Sequence, residues 1–139
     1  MRRLVIDTNL YVEWLNSGRH EDVLFQRPAV KYLSAVVLME LRAGAFTARD
    51  RRLVRQVGRA FTAARRVLVP SALVYEEAGE VLRRLQASRG YTLGGKHSLV
   101  NDVLIALSAR MIGATVITRN ARDFEAIAGV RPFPLEVVA

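Results

Sequence analysis

Hydrophobic and polar positions along the chain fall into short apolar runs separated by longer segments with helical spacing. The apolar runs predict buried strands at Arg3–Ile6, Val30–Ser34 and Thr115–Thr118, and weaker runs at 67–69 and 136–138 favour two more. Helical spacing with capping and stop signals predicts helices at 8–16, at 35–44, after a capping box at 47–50, from 70 to about 90, at 98–111 and at 120–128, with a loop at 94–97. Strands that alternate with helices in this way predict an α/β sandwich with a mainly parallel sheet.

The length and composition fit one domain that comprises residues 1–139. The chain has 139 residues, of which 51% are hydrophobic, so it can bury a core without stabilising cross-links. It has no cysteine, which excludes disulfides, thiolate metal sites and thiol nucleophiles. Its longest apolar runs, at 35–39 and 103–107, are far shorter than the ~20 residues of a membrane span. The apolar run after the first residues is also too short for a signal peptide. We therefore expect a soluble, cytoplasmic protein.

The charge pattern adds a candidate binding surface. The formal net charge is +8, and residues 42–66 contain eight arginines against a single acidic residue. Clustered guanidinium groups bind phosphate-rich polymers through paired donors and counterion release. A basic face that only keeps a protein soluble has the same composition, so both interpretations stay open here. The arginines concerned lie on the polar face of the third predicted helix and include Arg51, Arg52, Arg55 and Arg59.

Three acidic residues occupy unusual positions in this pattern. Asp7 follows the first buried strand, at the carboxyl end where α/β sheets collect their ligand sites, although an N-cap alone would also explain it. Asp102 lies in the first turn of the most apolar predicted helix, where it either compensates the helix dipole or has a functional role. Glu40 interrupts an apolar segment, so the alternative to function is a buried ion pair with an arginine distant in sequence.

A fourth acidic residue, Asp123, follows another predicted strand end together with Asn120. Parallel winding can bring these strand ends and helices to one edge of the sheet. Carboxylates packed together repel one another unless a cation neutralises them, and oxygen ligands favour Mg²⁺ or Mn²⁺. Such an ion activates water for phosphodiester hydrolysis. A carboxylate cluster beside an arginine-rich helix therefore indicates a nuclease.

Four segments carry a resemblance to a known family. The chain resembles the PIN domain and, within it, the VapC-type ribonuclease toxins of bacterial toxin–antitoxin pairs, which implies a three-layer α/β sandwich with a mainly parallel central sheet. The order and separation of the segments fit that family over nearly the whole chain. They are VIDTN at 5–9, LSAVVLMEL at 33–41, NDVLIA at 101–106 and VITRN at 116–120 followed by Asp123 and Phe124.

The resemblance implies a role for each matching residue. It makes Asp7, Glu40 and Asp102 the metal-binding catalytic acids and Asp123 the catalytic residue that completes the set, with Asn120 as the alternative for that fourth acidic position. It also implies a Mg²⁺-dependent endoribonuclease, a homodimer, and an antitoxin partner that occupies the active-site groove. The arginines of the third helix would contact RNA or an acidic antitoxin segment. The polar neighbours of the acids would be Thr8, Asn9, Thr118 and Asn120.

Two other functions remain as alternatives. One is a non-catalytic nucleic-acid-binding module that uses the basic helix and has an idle acidic pocket; its binding would be salt-sensitive and would persist in chelator. The other is a metal-dependent phosphatase of the haloacid dehalogenase type, which also begins with an aspartate after a strand. That chemistry needs a second aspartate two residues on, where this chain has Asn9.

Overall fold

A computed structural model describes residues 1–93 and 97–139 of the chain. Within these ranges no helix offers the length of apolar surface that a bilayer span requires. The strands are β1 (Arg3–Ile6), β2 (Val30–Ser34), β3 (Val67–Leu68), β4 (Thr115–Thr118) and β5 (Leu135–Val137). The helices are α1 (Thr8–Ser17), α2 (Ala35–Ala43), α3 (Ala48–Ala63), α4 (Ala72–Arg89), α5 (His97–Met111) and α6 (Ala121–Val130), and a π-helical turn covers Asp22–Gln26.

The strands form one parallel sheet in the order β3-β2-β1-β4-β5. Helices flank this sheet, so the predicted α/β fold with a parallel central sheet is confirmed. The strands β1 and β4 are neighbours in register, with Val5 opposite Val116 and Ile6 opposite Ile117. Their carboxyl ends consequently lie side by side, which places the residues that follow each strand next to each other.

Burial explains why these segments form strands and helices. Residues Leu4 to Ile6 and Val116 to Ile117 are fully buried, as expected for central parallel strands covered on both faces. The helix α5 presents buried side chains over most of its circumference, among them Leu99, Val103 and Ile105, which confirms the prediction of a buried helix. This core holds α5 against β1 and α4, and fixes one end of that helix near the strand ends.

Several boundaries differ from the sequence prediction. The helix α5 begins at His97, so Ser98 lies inside it rather than capping it. Residues 94–96 of the predicted loop lie outside the described residues. The final strand is shifted by one residue from 136–138, and α6 extends to Val130 with Asn120 as its N-cap. The π-helical turn had no sequence prediction, because its apolar residues are too few to show a period.

Candidate active site

The first acidic residue of the site is fixed by both central strands. The backbone N–H of Asp7 donates to the Ile117 carbonyl at 2.8 Å, which continues the pairing of β1 with β4. One carboxylate oxygen, Oδ1, accepts from the Thr8 backbone N–H at 2.8 Å, and Oδ2 accepts from the Thr118 hydroxyl at 2.7 Å. Asp7 is therefore the N-cap of α1 and also a buried carboxylate at the strand ends.

Glu40 reaches the same region from α2. Its Oε1 accepts from the Thr8 hydroxyl at 2.6 Å and its Oε2 from the Asn101 side-chain amide at 3.3 Å. The burial that the surrounding apolar segment predicts for Glu40 is only partial, because the residue is half-buried and lines an open cleft rather than the core. Among the described residues it has no arginine partner, so the alternative of an ion pair with a distant arginine receives no support.

Asp102 is the carboxyl group of the site whose pKa is raised furthest above its ordinary value. It is the sixth residue of α5, beyond the first turn where sequence analysis placed it, and it is 6% exposed. Among the described residues its carboxyl group has one hydrogen-bond partner, the Asn120 side-chain amide, which donates to Oδ2 at 3.4 Å. Burial, together with the charges of Asp7, Glu40 and Asp123, raises the pKa of Asp102 to about 9. Compensation by the helix dipole at a solvated helix end therefore does not account for this residue.

The pKa of Asp7 is also raised, to about 6. Burial is the main cause, and the hydrogen bonds from Thr118 and Thr8 oppose it. Asp7 and Asp102, two carboxyl groups with raised pKa values, lie beside the half-buried Glu40, and none of the three acids pairs with a cationic side chain in the described part of the chain. Such a site binds protons or a cation at neutral pH.

Asn120 connects Asp102 with Asp123. Its amide donates to Asp102 Oδ2 at 3.4 Å and to Asp123 Oδ2 at 3.1 Å, while its own Oδ1 accepts from the Asp123 backbone N–H as the cap of α6. The other Asp123 oxygen accepts from the Tyr91 hydroxyl at 2.8 Å. Asn120 lines the cleft, whereas Asp123 adjoins it through Asn120. Tyr91 was missed by sequence reasoning, because a contact between residues 32 positions apart leaves no local pattern.

The acids of three chain segments meet at one cleft of about 550 Å³. Asn9, predicted only as a polar neighbour, has a buried Oδ1 without a hydrogen-bond partner in the described part of the chain. Glu13, Ser98 and Arg119 are further polar members that sequence analysis did not assign to the site. The lining residues are Asp7, Thr8, Asn9, Val12, Glu13, Glu40, Ser98, Asp102, Arg119 and Asn120.

The donor set of this cleft suits a hard cation. Within residues 1–93 and 97–139, no three His, Cys, Asp or Glu side chains are grouped so that they could hold a metal ion as they stand. The groups present are nevertheless oxygen donors: the carboxylates of Asp7, Glu40 and Asp102 and the unpaired amide oxygen of Asn9. Oxygen-only donors of this kind match Mg²⁺ and Mn²⁺.

The arginines of α3 lie apart from the acidic cleft. Arg51, Arg52, Arg55 and Arg59 are all exposed, and none of them lines the cleft. Two of them, Arg55 and Arg59, border a separate groove of about 550 Å³ between α2 and α3 together with Arg42. In the described part of the chain no acidic side chain pairs with Arg52, Arg55 or Arg59, so their charge is available to a ligand.

Comparison with solved structures shows the same architecture in three bacterial complexes. The DNA-bound VapBC of Salmonella typhimurium shares 24% identity, covers 99% of this chain and 98% of its own, and gives a TM-score of 0.71. VapBC2 of Rickettsia felis, bound to a DNA fragment from its promoter, shares 24% identity with 99% coverage of both chains and a TM-score of 0.69. A toxin–antitoxin complex from Klebsiella pneumoniae shares 25% identity, covers 94% and 98%, and gives 0.65.

The sequence itself matches one family model. No curated protein matches the chain at a significant level. The PIN domain model matches residues 4–130, which include every acidic residue of the cleft and the segments on which the resemblance was based. The expected family is thereby confirmed, and the chain belongs to the PIN domain family.

Proposed function

We propose that this protein is a metal-dependent endoribonuclease that hydrolyses RNA phosphodiester bonds. The observation that carries the proposal is the meeting of Asp7, Glu40 and Asp102, from three separate segments, in one cleft where none of the three forms an ion pair with a described residue. Without a bound cation, the repulsion and burial of clustered carboxylates lower the stability of the folded state. A bound divalent cation offsets that loss. Membership of the PIN family supports nuclease chemistry for such a cluster.

In this proposal Asp7, Glu40 and Asp102 would hold Mg²⁺ or Mn²⁺, and Asp123 would orient the Asn120 side chain, whose amide donates to it at 3.1 Å. The cation would supply activation of water and stabilisation of the departing oxygen. Thr118 holds Asp7 in place from the neighbouring strand, and Thr8 fixes Glu40 against α1. These hydroxyl groups are neutral, so they orient the carboxylates and leave their negative charge free to bind the cation.

We further propose that the protein is the toxin of a type II toxin–antitoxin pair. The support comes from the similar solved structures, which are toxin–antitoxin complexes, two of them bound to DNA. The proposal includes a cognate antitoxin, a cytoplasmic location and a homodimer. The unpaired α3 arginines are candidates to bind RNA or an acidic segment of the antitoxin. Growth arrest on expression that Asp7→Asn relieves would support the toxin role, and equal growth of both strains would contradict it.

The cleavage test compares two cleft variants with a matched surface variant. Labelled single-stranded RNA is incubated with wild type, Asp7→Asn, Asp102→Asn and the control Asp22→Asn, each with Mg²⁺ and with EDTA. Asp22 is exposed and lies outside the cleft, so this control removes one carboxylate charge without touching the site. We expect scission by wild type and Asp22→Asn in Mg²⁺ only, and a loss of at least about 100-fold in both cleft variants.

The other results would each favour another function. Salt-sensitive RNA binding that persists in EDTA, with no scission under any condition, would indicate a non-catalytic binding module. Hydrolysis of a phosphomonoester with RNA left intact would indicate a phosphatase. Unchanged RNA cleavage by Asp102→Asn, with circular dichroism confirming its fold, would refute the assignment of the cleft.

A further inference from the structure

Arg119 and Glu13 form an ion pair at the rim of the acidic cleft. Arg119 directly follows β4, and its Nη1 donates to Glu13 Oε2 across a separation of 106 residues. Both residues line the cleft, and Arg119 is the one cation among the described lining residues. A polyanion that enters this cleft must pass carboxylates that repel it, so a cation at the rim has a strong effect on its binding.

The chain segment that carries Arg119 is held on both sides. Thr118 is fully buried, and its hydroxyl donates to Asp7 and accepts from the Asn120 backbone N–H at 2.9 Å. The Thr118 carbonyl accepts from the Val138 N–H at 2.9 Å, and the Asn120 side chain is bound to the acids. The backbone of Arg119 is thus anchored to the acidic cluster itself, and its side chain begins at a fixed distance from it.

Glu13 fixes the other end of this side chain. It lies on α1 and also accepts from Arg19 Nη1 at 2.9 Å, while the His20 ring nitrogen lies 3.0 Å from its Oε1. The hydrogen bond from Arg119 is the largest of the effects that hold the pKa of Glu13 below its ordinary value, so the carboxylate stays ionised. A guanidinium has five N–H donors, and the described residues engage only one nitrogen of Arg119, which is 38% exposed.

We infer that Arg119 binds a backbone phosphate of single-stranded RNA at the mouth of the cleft, and that Glu13 is the positioning residue that holds Arg119 there. This inference rests on the proposed nuclease function, and it names a contact for the substrate of that same site. Planar guanidinium donors match the oxygens of a phosphodiester, and contacts of this type fix the register of the nucleic acid without reading its bases. A purely structural ion pair at such exposure would contribute little to folding and nothing to RNA binding.

The test measures RNA binding with the substrate kept intact. Fluorescently labelled single-stranded RNA is titrated with Asp102→Asn protein in Mg²⁺, with and without a second substitution, from about 50 to 200 mM salt. We expect Arg119→Gln to weaken binding about 10-fold and to reduce the slope of log K against log salt by about 0.7, the value for one phosphate contact to a single strand. Arg119→Lys should keep the slope and lose part of the affinity, because lysine keeps the charge without the fork.

The matched control is Arg84→Gln, which removes one positive charge from an exposed position of α4 outside the cleft. It should leave the slope unchanged. An Arg119→Gln slope equal to that of the control would overturn the phosphate contact. If wild type fails to cleave RNA while the slope still changes at Arg119, the nuclease proposal fails and the phosphate contact stands, so the two failures are distinguishable.

The role of Glu13 is tested in the cleavage reaction of the otherwise unchanged protein. We expect Glu13→Gln to lower kcat about 3- to 10-fold with the salt slope of binding retained, because Arg119 stays charged but loses its fixed position. Glu125→Gln, an exposed glutamate on α6 outside the cleft, is the control and should retain full activity. Undiminished kcat in Glu13→Gln would show that the ion pair does not position Arg119.

Discussion

Asparagine at position 102 should make the metal-free protein more stable while it abolishes the proposed cleavage. Asp102 is 6% exposed, and its carboxyl group accepts from one side chain in the described ranges, the neutral amide of Asn120. An asparagine has the same shape, and its amide oxygen can still accept from Asn120. The substitution therefore removes the carboxyl charge and little else.

The magnitude follows from the raised pKa. Asp102 has an ordinary value of 3.8 and a folded value of about 9. Because the folded value is the higher one, the folded state binds more protons between these limits, and its stability falls as pH rises from about 4 to about 9. Each pH unit in this window costs about 1.4 kcal/mol before the buried site relaxes. Over the roughly four units up to pH 8 this sets an upper limit of about 6 kcal/mol on the free-energy difference. Relaxation of the buried site reduces it, so we expect the free energy of unfolding of Asp102→Asn to exceed that of wild type by on the order of 3 kcal/mol at pH 8.

The assay is urea unfolding in EDTA at several pH values between about 5 and 8. The free-energy difference between Asp102→Asn and wild type should grow with pH. The raised pKa of Asp7 adds its own pH dependence between about 4 and 6, but both proteins share it, so it cancels in the difference. Asp22→Asn serves as the exposed control and should follow wild type. A difference that is negative, or constant over the whole pH range, would refute the reasoning.

Two further predictions concern the groups around Asp102. Mg²⁺ should raise the free energy of unfolding of wild type, by about 2.7 kcal/mol at 100 times its dissociation constant, and should have a much smaller effect on Asp7→Asn; equal stabilisation of both proteins in thermal denaturation would place the ion elsewhere. Thr118→Val should lower the free energy of unfolding by about 1–3 kcal/mol, because it leaves the Asp7 Oδ2 and the Asn120 N–H without their buried partner. In urea unfolding Thr118→Ser, which keeps the hydroxyl, should lose less, and an equal loss would contradict that explanation.

The strands of the sheet could be predicted from sequence because each one is a short run of consecutive residues with its own apolar pattern. The runs at Arg3–Ile6, Val30–Ser34 and Thr115–Thr118 are short and apolar, and the structure places strands with those same bounds. The capping box at 47–50 could also be predicted, because it lies within four consecutive residues. In the structure the Thr47 hydroxyl accepts from the Asp50 backbone N–H at 3.0 Å. Helix ends without a clear cap were less certain, as the early start of α5 shows.

The acids of the site could be predicted, but most of their partners could not. Asp7 directly follows a predicted strand of a parallel sheet, so the sequence already places it at the carboxyl end of that strand. The pair of Glu13 with Arg119 and the hydrogen bond of Tyr91 to Asp123 join residues far apart in the chain, and charged side chains on amphipathic helices usually face water. The exposure of Glu40 was misjudged because an apolar run predicts burial of a segment and does not show which of its positions borders a cleft.

The fold uses the hydrogen bonds of the acidic side chains in the cleft but does not require their negative charges. As the N-cap of α1, Asp7 could be replaced by asparagine or serine with little loss, since those residues also accept from helix N–H groups. Asp102 accepts one long hydrogen bond from Asn120, which a neutral amide oxygen serves equally well. The negative charges thus add nothing that the fold requires, and their mutual repulsion and burial disfavour the folded state. A site whose charges oppose folding gains from them only when a cation is bound, which is why the same substitution should stabilise the metal-free protein and end its activity.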